Sequence, residues 1–268
     1  MKTGYISYIN SFPFCYDAEN DKIQGNEITK GKPAALNKAL YEAKLDLSAI
    51  SAFEYLKNQR DYYLMSDMCI QSSGQVRSVL LYSHVELNDL HDKKIALTNE
   101  SATSVHLLKV LLNEKGLYPE AYITLDDKHT IPSSDALLLI GDRALEFDAT
   151  SYKYVYDLSD QWNEMAGYPV VFAVWALRKD SSVNKDLVLR VLDQMKETRR
   201  LLLDDAEHYI QIMKEKYEVL PEKLDEYFKN LNFEFNEKCQ KSLELYSQYC
   251  FKHNYLTFKP TLEFYPHA

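Results

Sequence analysis

The opening of the chain, residues 4–14, is the feature that most constrains its fold. A short β-rich run ends there in a polar pair, Asn10-Ser11, and Pro13 follows almost at once. Proline fixes φ and lacks a backbone N–H, so we expect the strand to stop before it. Asn10 and Ser11 are then predicted at the carboxyl end of the first strand, where open α/β sheets bind ligands. Polar residues are also favoured in plain turns, so the pair alone does not establish a site.

Short apolar strands alternate with helices through the first two thirds of the chain, which is typical of an α/β fold. Further strands are predicted at residues 45–51, 62–70, 76–83, 94–98, 135–140 and 170–177. Helices are predicted at residues 33–44 and 52–58, in the segment that residues 99–104 lead into and that ends at a cap at Gly116, and from residue 141. From Lys185 onward the chain is predicted to be helical, with Pro221 opening one helix and Asn236 capping the last.

This order of elements predicts two α/β lobes, one inserted into the other. Residues 1–82 together with 175–268 are expected to form lobe one, and residues 83–174 lobe two. Because the chain would cross twice between the lobes, we expect a cleft and a hinge between them. Ligands bind preferentially in such interdomain clefts, and hinge closure around them is common.

Composition limits the classes of partner. Lys+Arg number 31 and Asp+Glu 40, a formal net charge of −9, which argues against a nucleic-acid partner. The negative net charge does not exclude an anionic small-molecule ligand, because the electrostatic potential in a pocket depends on the groups that line it. No apolar run reaches membrane-spanning length, no secretory signal precedes the first strand, and the four cysteines show no CxxC spacing. We therefore expect a reducing, cytoplasmic environment, and the scattered histidines predict no metal site.

Polar patches at predicted strand ends are the candidate binding groups. Hydroxyls and free backbone N–H groups at a helix start, as at residues 101–104, favour an anion such as a carboxylate, although a plain N-cap is the preferred explanation of these residues taken alone. Arg77 could pair with a carboxylate or form a surface salt bridge. There is no catalytic triad context, P-loop or GxGxxG motif, and His106 is predicted to be a packed or surface histidine.

Six segments of the chain together resemble the MqnA family, the chorismate dehydratases of the futalosine route to menaquinone. They occur in the family's order and fall within the first two thirds of the chain. They are residues 8–13, 45–51, 76–83, 95–104, 135–142 and 169–175.

The resemblance implies a two-lobed, type II periplasmic-binding-protein-like fold with a central ligand cleft. It also implies a cytoplasmic enzyme, a carbon–oxygen lyase that converts chorismate to 3-[(1-carboxyvinyl)oxy]benzoate and water. No cofactor or metal is implied, and the only expected partner is the small-molecule substrate, with no nucleic acid, membrane or partner protein.

In the family, an Asn of the opening motif and a Ser of the strand predicted at residues 76–83 are tied to the active site, and here these are Asn10 and Ser78. Asn10 is expected to hydrogen-bond the ring hydroxyl or the charge that develops beside it, and Ser78 to hold a carboxylate or the leaving hydroxyl. A substrate carboxylate could act as the base. Substrate binding is expected from Ser11, Ser51, Arg77, Thr103, Ser104, Gly141 and Asp142. Arg77 would face away from Ser78 if strand alternation held.

Two other functions stay open. The sister MqnD family makes 1,4-dihydroxy-6-naphthoate on the same fold, but it carries a catalytic His where this chain has Gly141. A solute-binding module would capture an anionic metabolite without turnover, since a fold does not fix a function. A turnover assay separates the enzyme from the module.

Overall fold

The computed structural model describes residues 1–20, 22–126, 130–216 and 227–266. Among these residues, eleven strands follow one another along the chain. They are β1 (Lys2–Ile6), β2 (Glu27–Gly31), β3 (Leu47–Ser51), β4 (Tyr62–Ser72), β5 (Val79–Ser83), β6 (Lys94–Leu97), β7 (Ala121–Thr124), β8 (Ala136–Ile140), β9 (Tyr154–Asp157), β10 (Val170–Arg178) and β11 (Leu231–Asn232).

The strands form two mixed sheets. The first has the order β11-β4-β10-β3-β1-β2, with β1 parallel to both its neighbours and β10 antiparallel between β3 and β4. The second has the order β7-β6-β8-β5-β9, with β6 parallel to β7 and β8, and β5 antiparallel to β8 and β9. All five residues of β8 are buried, which is why this central strand reads as an uninterrupted apolar run.

Helices connect and cover the sheets. They are α1 (Phe12–Asn20), α2 (Pro33–Tyr41), α3 (Ala52–Lys57), α4 (Ala102–Glu114), α5 (Gly141–Glu146), α6 (Leu158–Ala166), α7 (Lys185–Asp204), α8 (Ala206–Lys216) and α9 (Glu237–Lys252). The predicted cap of the last helix is confirmed, since the Asn236 side chain accepts a hydrogen bond from the Cys239 N–H at 3.1 Å. Gly116 follows α4 with a φ of +71°. Pro221, predicted to open a helix, lies outside the described residues.

The predicted extent of the first strand is wrong. β1 ends at Ile6, and residues Ile9–Ser11 form a single 3-10 turn that runs directly into α1. Pro13 therefore lies in the first turn of a helix, where its missing N–H removes no intrahelical bond. Asn10 still follows the carboxyl end of β1, but on the turn between strand and helix.

The predicted strand at residues 76–83 begins only at Val79. Arg77 has a φ of +60°, and its backbone N–H donates to Asp157 Oδ2 at 2.6 Å. A positive φ is incompatible with an extended strand, so alternation does not decide where Arg77 and Ser78 point.

Strand pairing shows which sheet contains each strand near the predicted limits of the lobes. β5 pairs only within the second sheet, whereas β10 pairs with β3 and β4 of the first. The limits at 82/83 and 174/175 stay a prediction. From the pairing, we propose that the chain crosses between the lobes earlier, between Ser72 and Val79 and between Ala166 and Val170.

The described cysteines, Cys15, Cys69, Cys239 and Cys250, are all buried and unbridged. Trp175 of β10 is fully buried and packs against Phe14, with ring centroids 4.2 Å apart, which ties α1 to the first sheet. In the described parts of the chain, no helix is both long and apolar enough to cross a membrane.

Candidate functional site

A narrow cavity of about 40 Å³ lies where the ends of strands from both sheets meet. Its apolar wall includes Ile6 of β1, Phe172 of β10 and Ile140 of β8. Its polar groups come from turns and helix starts rather than from strand interiors. They are Tyr8, Asn10, Ser51, Ser78, Ser101 and Ser104. Among the described lining residues, none carries a carboxylate, an imidazole, an amine or a guanidinium.

Five of the residues predicted for the site meet at this cavity, namely Asn10, Ser51, Ser78, Ser104 and Gly141. Ser11 is fully buried beside Asn10 but does not line the cavity. Arg77 is exposed and lines a different depression together with Asp157 and Tyr156. Thr103 and Asp142 also lie outside the lining.

Half-buried Asn10 and fully buried Ser11 both have unused hydrogen-bonding capacity. Asn10 Oδ1 and Ser11 Oγ are both buried, and neither has a hydrogen-bond partner among the described residues. Leaving such an atom unpaired costs about 1–3 kcal/mol, so proteins rarely retain one without a use for it. For Asn10, which lines the cavity, the free oxygen indicates a site for a polar ligand.

Tyr227 joins the two residues expected to be catalytic, and sequence reasoning missed it. Ser78 Oγ donates a hydrogen bond to the Tyr227 hydroxyl at 3.1 Å, and the Asn10 side chain is hydrogen-bonded to the same hydroxyl. Tyr227 is 1% exposed, and burial raises the pKa of its phenol, so it stays neutral. As one of 21 tyrosines, it carries no local signal that singles it out.

The start of α4 caps itself and still presents hydroxyls to the cavity. Ser101 Oγ accepts from the Ser104 N–H at 3.2 Å and lies 3.0 Å from Ser104 Oγ. The plain N-cap is therefore present. Both hydroxyls nevertheless line the cavity, so capping and ligand binding are compatible here.

The hydrogen bonds of Thr103 and Ser51 are internal to the protein. Thr103 Oγ1 donates to the Phe172 carbonyl at 2.9 Å and accepts from the Phe53 N–H at 3.1 Å, which fixes α4 against β10 and α3. Asn37 Nδ2 donates to Ser51 Oγ at 3.2 Å, while Asn37 Oδ1 accepts from the Ser51 N–H at 3.0 Å. Asn37 therefore orients Ser51 on the cavity wall.

Glu100 connects the two sides of the cavity. The Tyr8 hydroxyl donates to Glu100 Oε2 at 2.5 Å, Lys32 forms an ion pair with the same carboxylate, and the Ala34 N–H donates to the Glu100 carbonyl at 3.1 Å. Burial, reinforced by Glu100, raises the pKa of Tyr8. These contacts join the segments after β1 and β2 to the loop before α4, and so hold the cavity closed.

Gly141 occupies a position where a side chain does not fit. It has a φ of +60°, and a Cβ added there would lie 3.0 Å from ring atoms of Tyr8. Its N–H donates to the Ser78 carbonyl at 2.7 Å, so this group is not free to bind an anion. Gly141 therefore contributes close backbone packing to the site.

His106 is packed, as predicted. Its Nδ1 lies 2.8 Å from the Ala102 carbonyl, and its ring stacks on Phe53 with centroids 3.6 Å apart. Burial lowers the pKa of His106 to about 4, so the ring is neutral at pH 7. Over the described residues, no group of three or more His, Cys, Asp and Glu side chains could hold a metal ion.

Asp142 lies beside the cavity, and its Oδ1 accepts a hydrogen bond from the Ile9 N–H at 3.3 Å. Burial, opposed by that hydrogen bond, raises the pKa of Asp142 to about 6, and nearby Glu146 and Glu100 add to the shift. Because the folded-state pKa is above the unfolded value, folding favours the protonated form. The free energy of unfolding is therefore reduced as the pH rises from about 4 to about 6.

We expect Asp142→Asn to be more stable than the parent at pH 7 by about 1–3 kcal/mol, because it removes the cost of a buried charge. The gain should be much smaller at pH 4 and should approach zero below that pH, where the parent carboxyl becomes protonated in the unfolded state as well as in the folded one. Urea unfolding of both proteins at pH 4 and pH 7 measures the difference. A stability difference that is the same at both pH values would contradict the assignment.

Comparison with known proteins extends these observations to the whole chain. A family model described as menaquinone biosynthesis matches residues 1–252. A chorismate dehydratase of Thermus thermophilus is 31% identical over 243 residues, which cover 85% of this chain and 88% of that protein. A chorismate dehydratase of Campylobacter jejuni is 28% identical over 226 residues, covering 78% and 87%.

Among solved structures, the periplasmic aliphatic sulphonate binding protein of Escherichia coli superposes with a TM-score of 0.67 at 14% identity. The match covers 100% of this chain and 92% of that one. At this identity the likeness concerns the fold alone. It confirms the predicted α/β fold of the periplasmic-binding-protein type, with two sheets corresponding to two lobes.

Proposed function

The chain belongs to the menaquinone biosynthesis family, and from that premise we propose that it is a chorismate dehydratase converting chorismate to 3-[(1-carboxyvinyl)oxy]benzoate and water. One observation carries the proposal. In a chain 31% identical to a chorismate dehydratase, Asn10 and Ser78 meet at the wall of a cavity between the sheets.

The reaction does not require a strong side-chain base. Chorismate loses its ring hydroxyl and the proton on the adjacent carbon, and the ring becomes aromatic, which is a large driving force. The protein needs to orient the substrate and to stabilise the departing hydroxide. The described lining holds no basic side chain, which supports a substrate carboxylate as the proton acceptor. That proton and the departing hydroxide together form the water.

Asn10 and Ser78 are assigned to the leaving group. Asn10 Oδ1, unpaired within the described protein, would accept a hydrogen bond from the ring hydroxyl and so orient it. The Ser78 hydroxyl, which donates to Tyr227 in the structure, would turn its proton to the departing oxygen as the carbon–oxygen bond breaks and the oxygen takes the electron pair. A hydrogen bond that strengthens as charge develops is the kind that accelerates a reaction.

The remaining hydroxyls are assigned to the substrate carboxylates. Ser51, Ser101 and Ser104 lie on the cavity wall. Both Ser101 and Ser104 stand at the amino end of α4, a helix of thirteen residues, where the partial positive charge of the helix favours an anion. Charge-assisted hydrogen bonds of this kind are stronger than neutral ones.

The enzyme class and the location follow from the same proposal. Elimination of water from a carbon–oxygen bond makes the enzyme a hydro-lyase. We assign it to the cytoplasm, which fits four buried cysteines that form no disulfide. Its partner is the small-molecule substrate.

The function is tested by mixing the purified protein with chorismate and following the products by chromatography with mass detection. A product lighter than chorismate by one water, absent from a protein-free control, is expected. Chorismate that binds but stays intact would favour a solute-binding module. If chorismate neither binds nor reacts, the assignment is wrong, and cyclised futalosine becomes the next ligand to test.

We expect Tyr227→Phe to lower kcat by about tenfold to a hundredfold, with KM changed by no more than about twofold. The variant keeps the buried ring but loses the hydroxyl that holds Ser78 and Asn10. Substrate binding through other residues should be unaffected, so the effect should fall on turnover.

Tyr62→Phe is the matched control for that change. Tyr62 is also fully buried, and its hydroxyl has no hydrogen-bond partner among the described residues. It should leave kcat unchanged. Equal losses in the two variants, or a Tyr227→Phe effect confined to KM, would contradict the positioning role.

A further inference from the structure

A groove separate from the cavity runs between α2, α3 and α4 and reaches β7. Lys38 of α2, Lys57 of α3 and Lys109 of α4 all line it. Tyr122 of β7 closes one side, and the Lys109 Nζ lies 4.8 Å from the centre of its ring. The groove therefore brings three ammonium groups together from three separate helices.

The groove and the cavity share a wall. Ser101 lines both. Asn37 lines the groove and Ser51 the cavity, and the two are joined through the pair of hydrogen bonds that orient Ser51. Ala34 lines the groove and its neighbour Pro33 the cavity. The start of α2, Asn37 and the start of α4 lie between the two spaces.

The charge of the groove is opposite to that of the protein. The three lysines are accompanied by one lining carboxylate, Glu54, whereas the whole chain carries a formal charge of −9. Lys38 lies 3.8 Å from Glu42, a loose and exposed pair. A concave surface lined by one sign of charge concentrates oppositely charged solutes.

The cavity by contrast has no described cationic side chain in its lining. A substrate with two carboxylates approaching an acidic protein is repelled over most of the surface. The groove is a cationic surface that adjoins the cavity, and the start of α4 contributes to the wall between them.

We propose that the lysine groove, defined by Lys38, Lys57 and Lys109, is a docking site where a dicarboxylate substrate is held before it passes the Ser101 wall into the cavity. The identity of that anion as chorismate rests on the proposed function. The groove accelerates capture and takes no part in the chemical step.

The test measures kcat/KM for chorismate over a range of salt concentrations in the parent and in two double variants. The neutralised variant is Lys38→Gln/Lys57→Gln, and the charge-reversed variant is Lys38→Glu/Lys57→Glu. Both lysines are exposed, so the variants should fold. The charge-reversed variant should lose about tenfold in kcat/KM at low ionic strength, and the neutralised variant an intermediate amount. The loss should fade above about 0.5 M salt, where charges are screened within a few ångströms, and kcat should not change.

Lys238→Glu/Lys241→Glu on the exposed face of α9 is the control, because it makes the same change in net charge away from the groove. An equal loss in this control, or a loss that salt does not relieve, would overturn the proposal. If the parent shows no turnover, the proposed function fails. Calorimetric titration of the same variants with chorismate then tests the groove proposal by itself. If the charge-reversed groove variant binds chorismate as tightly as the control variant does, the groove proposal is overturned.

Discussion

Asn10→Ala should lower kcat for chorismate dehydration by about 10²-fold, because the ring hydroxyl loses the acceptor that orients it and misplaced reacting groups typically cost about that much. Asn10 Oδ1 is buried without a partner in the described protein, and the side chain is hydrogen-bonded to Tyr227. The substitution therefore removes an atom that is free to contact the substrate and loosens the hydroxyl that also holds Ser78. Steady-state kinetics measure the loss.

The fold should tolerate this change. Removing an unpaired buried oxygen relieves a desolvation cost, so the variant should unfold at a temperature close to that of the parent. Asn113→Ala is the control, because Asn113 is also half-buried and its amide donates to the Tyr255 hydroxyl at 2.9 Å, outside the cavity. Near-normal turnover by Asn10→Ala would rule out its assigned role.

Much of the fold could be predicted because apolar runs and caps are local signals. The residues of β3 and β8 are buried throughout. β8 is apolar at all five positions, and β3 is apolar at three of five, the other two being small serines. Helices α2 and α4 begin and end within a few residues of the predicted limits, since Pro33 at the start of α2 and Gly116 after α4 are visible in the sequence.

The errors arose where a tertiary contact overrides a local pattern. The local sequence around Pro13 predicts the end of a strand, but Pro13 lies in the first turn of α1, a helix packed against α7. The local sequence around Arg77 predicts a strand, but the Asp157 carboxylate accepts from the Arg77 N–H and stabilises a positive φ. Neither partner is near in sequence, so no window around Pro13 or Arg77 contains the information.

The residues of the candidate site likewise include some that local sequence predicts and one that depends on tertiary packing. The polar residues after strands were predictable, because open α/β sheets present their carboxyl ends to ligands, and five of the expected residues line one cavity. Tyr227 lies 149 positions from Ser78 and follows no motif. Its place in the site depends on how the C-terminal part of the chain packs, which periodicity does not specify.

Gly141→Ala should reduce both stability and turnover. A non-glycine residue at a φ of +60° costs about 1–2 kcal/mol, and contact of the new Cβ with the Tyr8 ring at 3.0 Å should bring the total to about 2–4 kcal/mol. Tyr8 lines the cavity and is fixed by Glu100, so its ring has little freedom to move aside. We expect at least a tenfold loss of kcat/KM, measured beside urea unfolding.

Gly167→Ala separates the effect of backbone strain from the effect of contact with the Tyr8 ring. Gly167 has a φ of +71°, but a Cβ added there meets nothing within 4 Å, so this variant carries the backbone strain without the contact. It should lose only about 1–2 kcal/mol and keep normal turnover. If Gly141→Ala lost the same small amount of stability and kept full activity, the Tyr8 ring would have to move aside to accept the new Cβ. In that case a larger side chain, such as the histidine of the sister family, would fit at this position. If Gly141→Ala instead behaves as expected, the packing of Tyr8 against the Gly141 backbone is what excludes that histidine, and with it the sister chemistry.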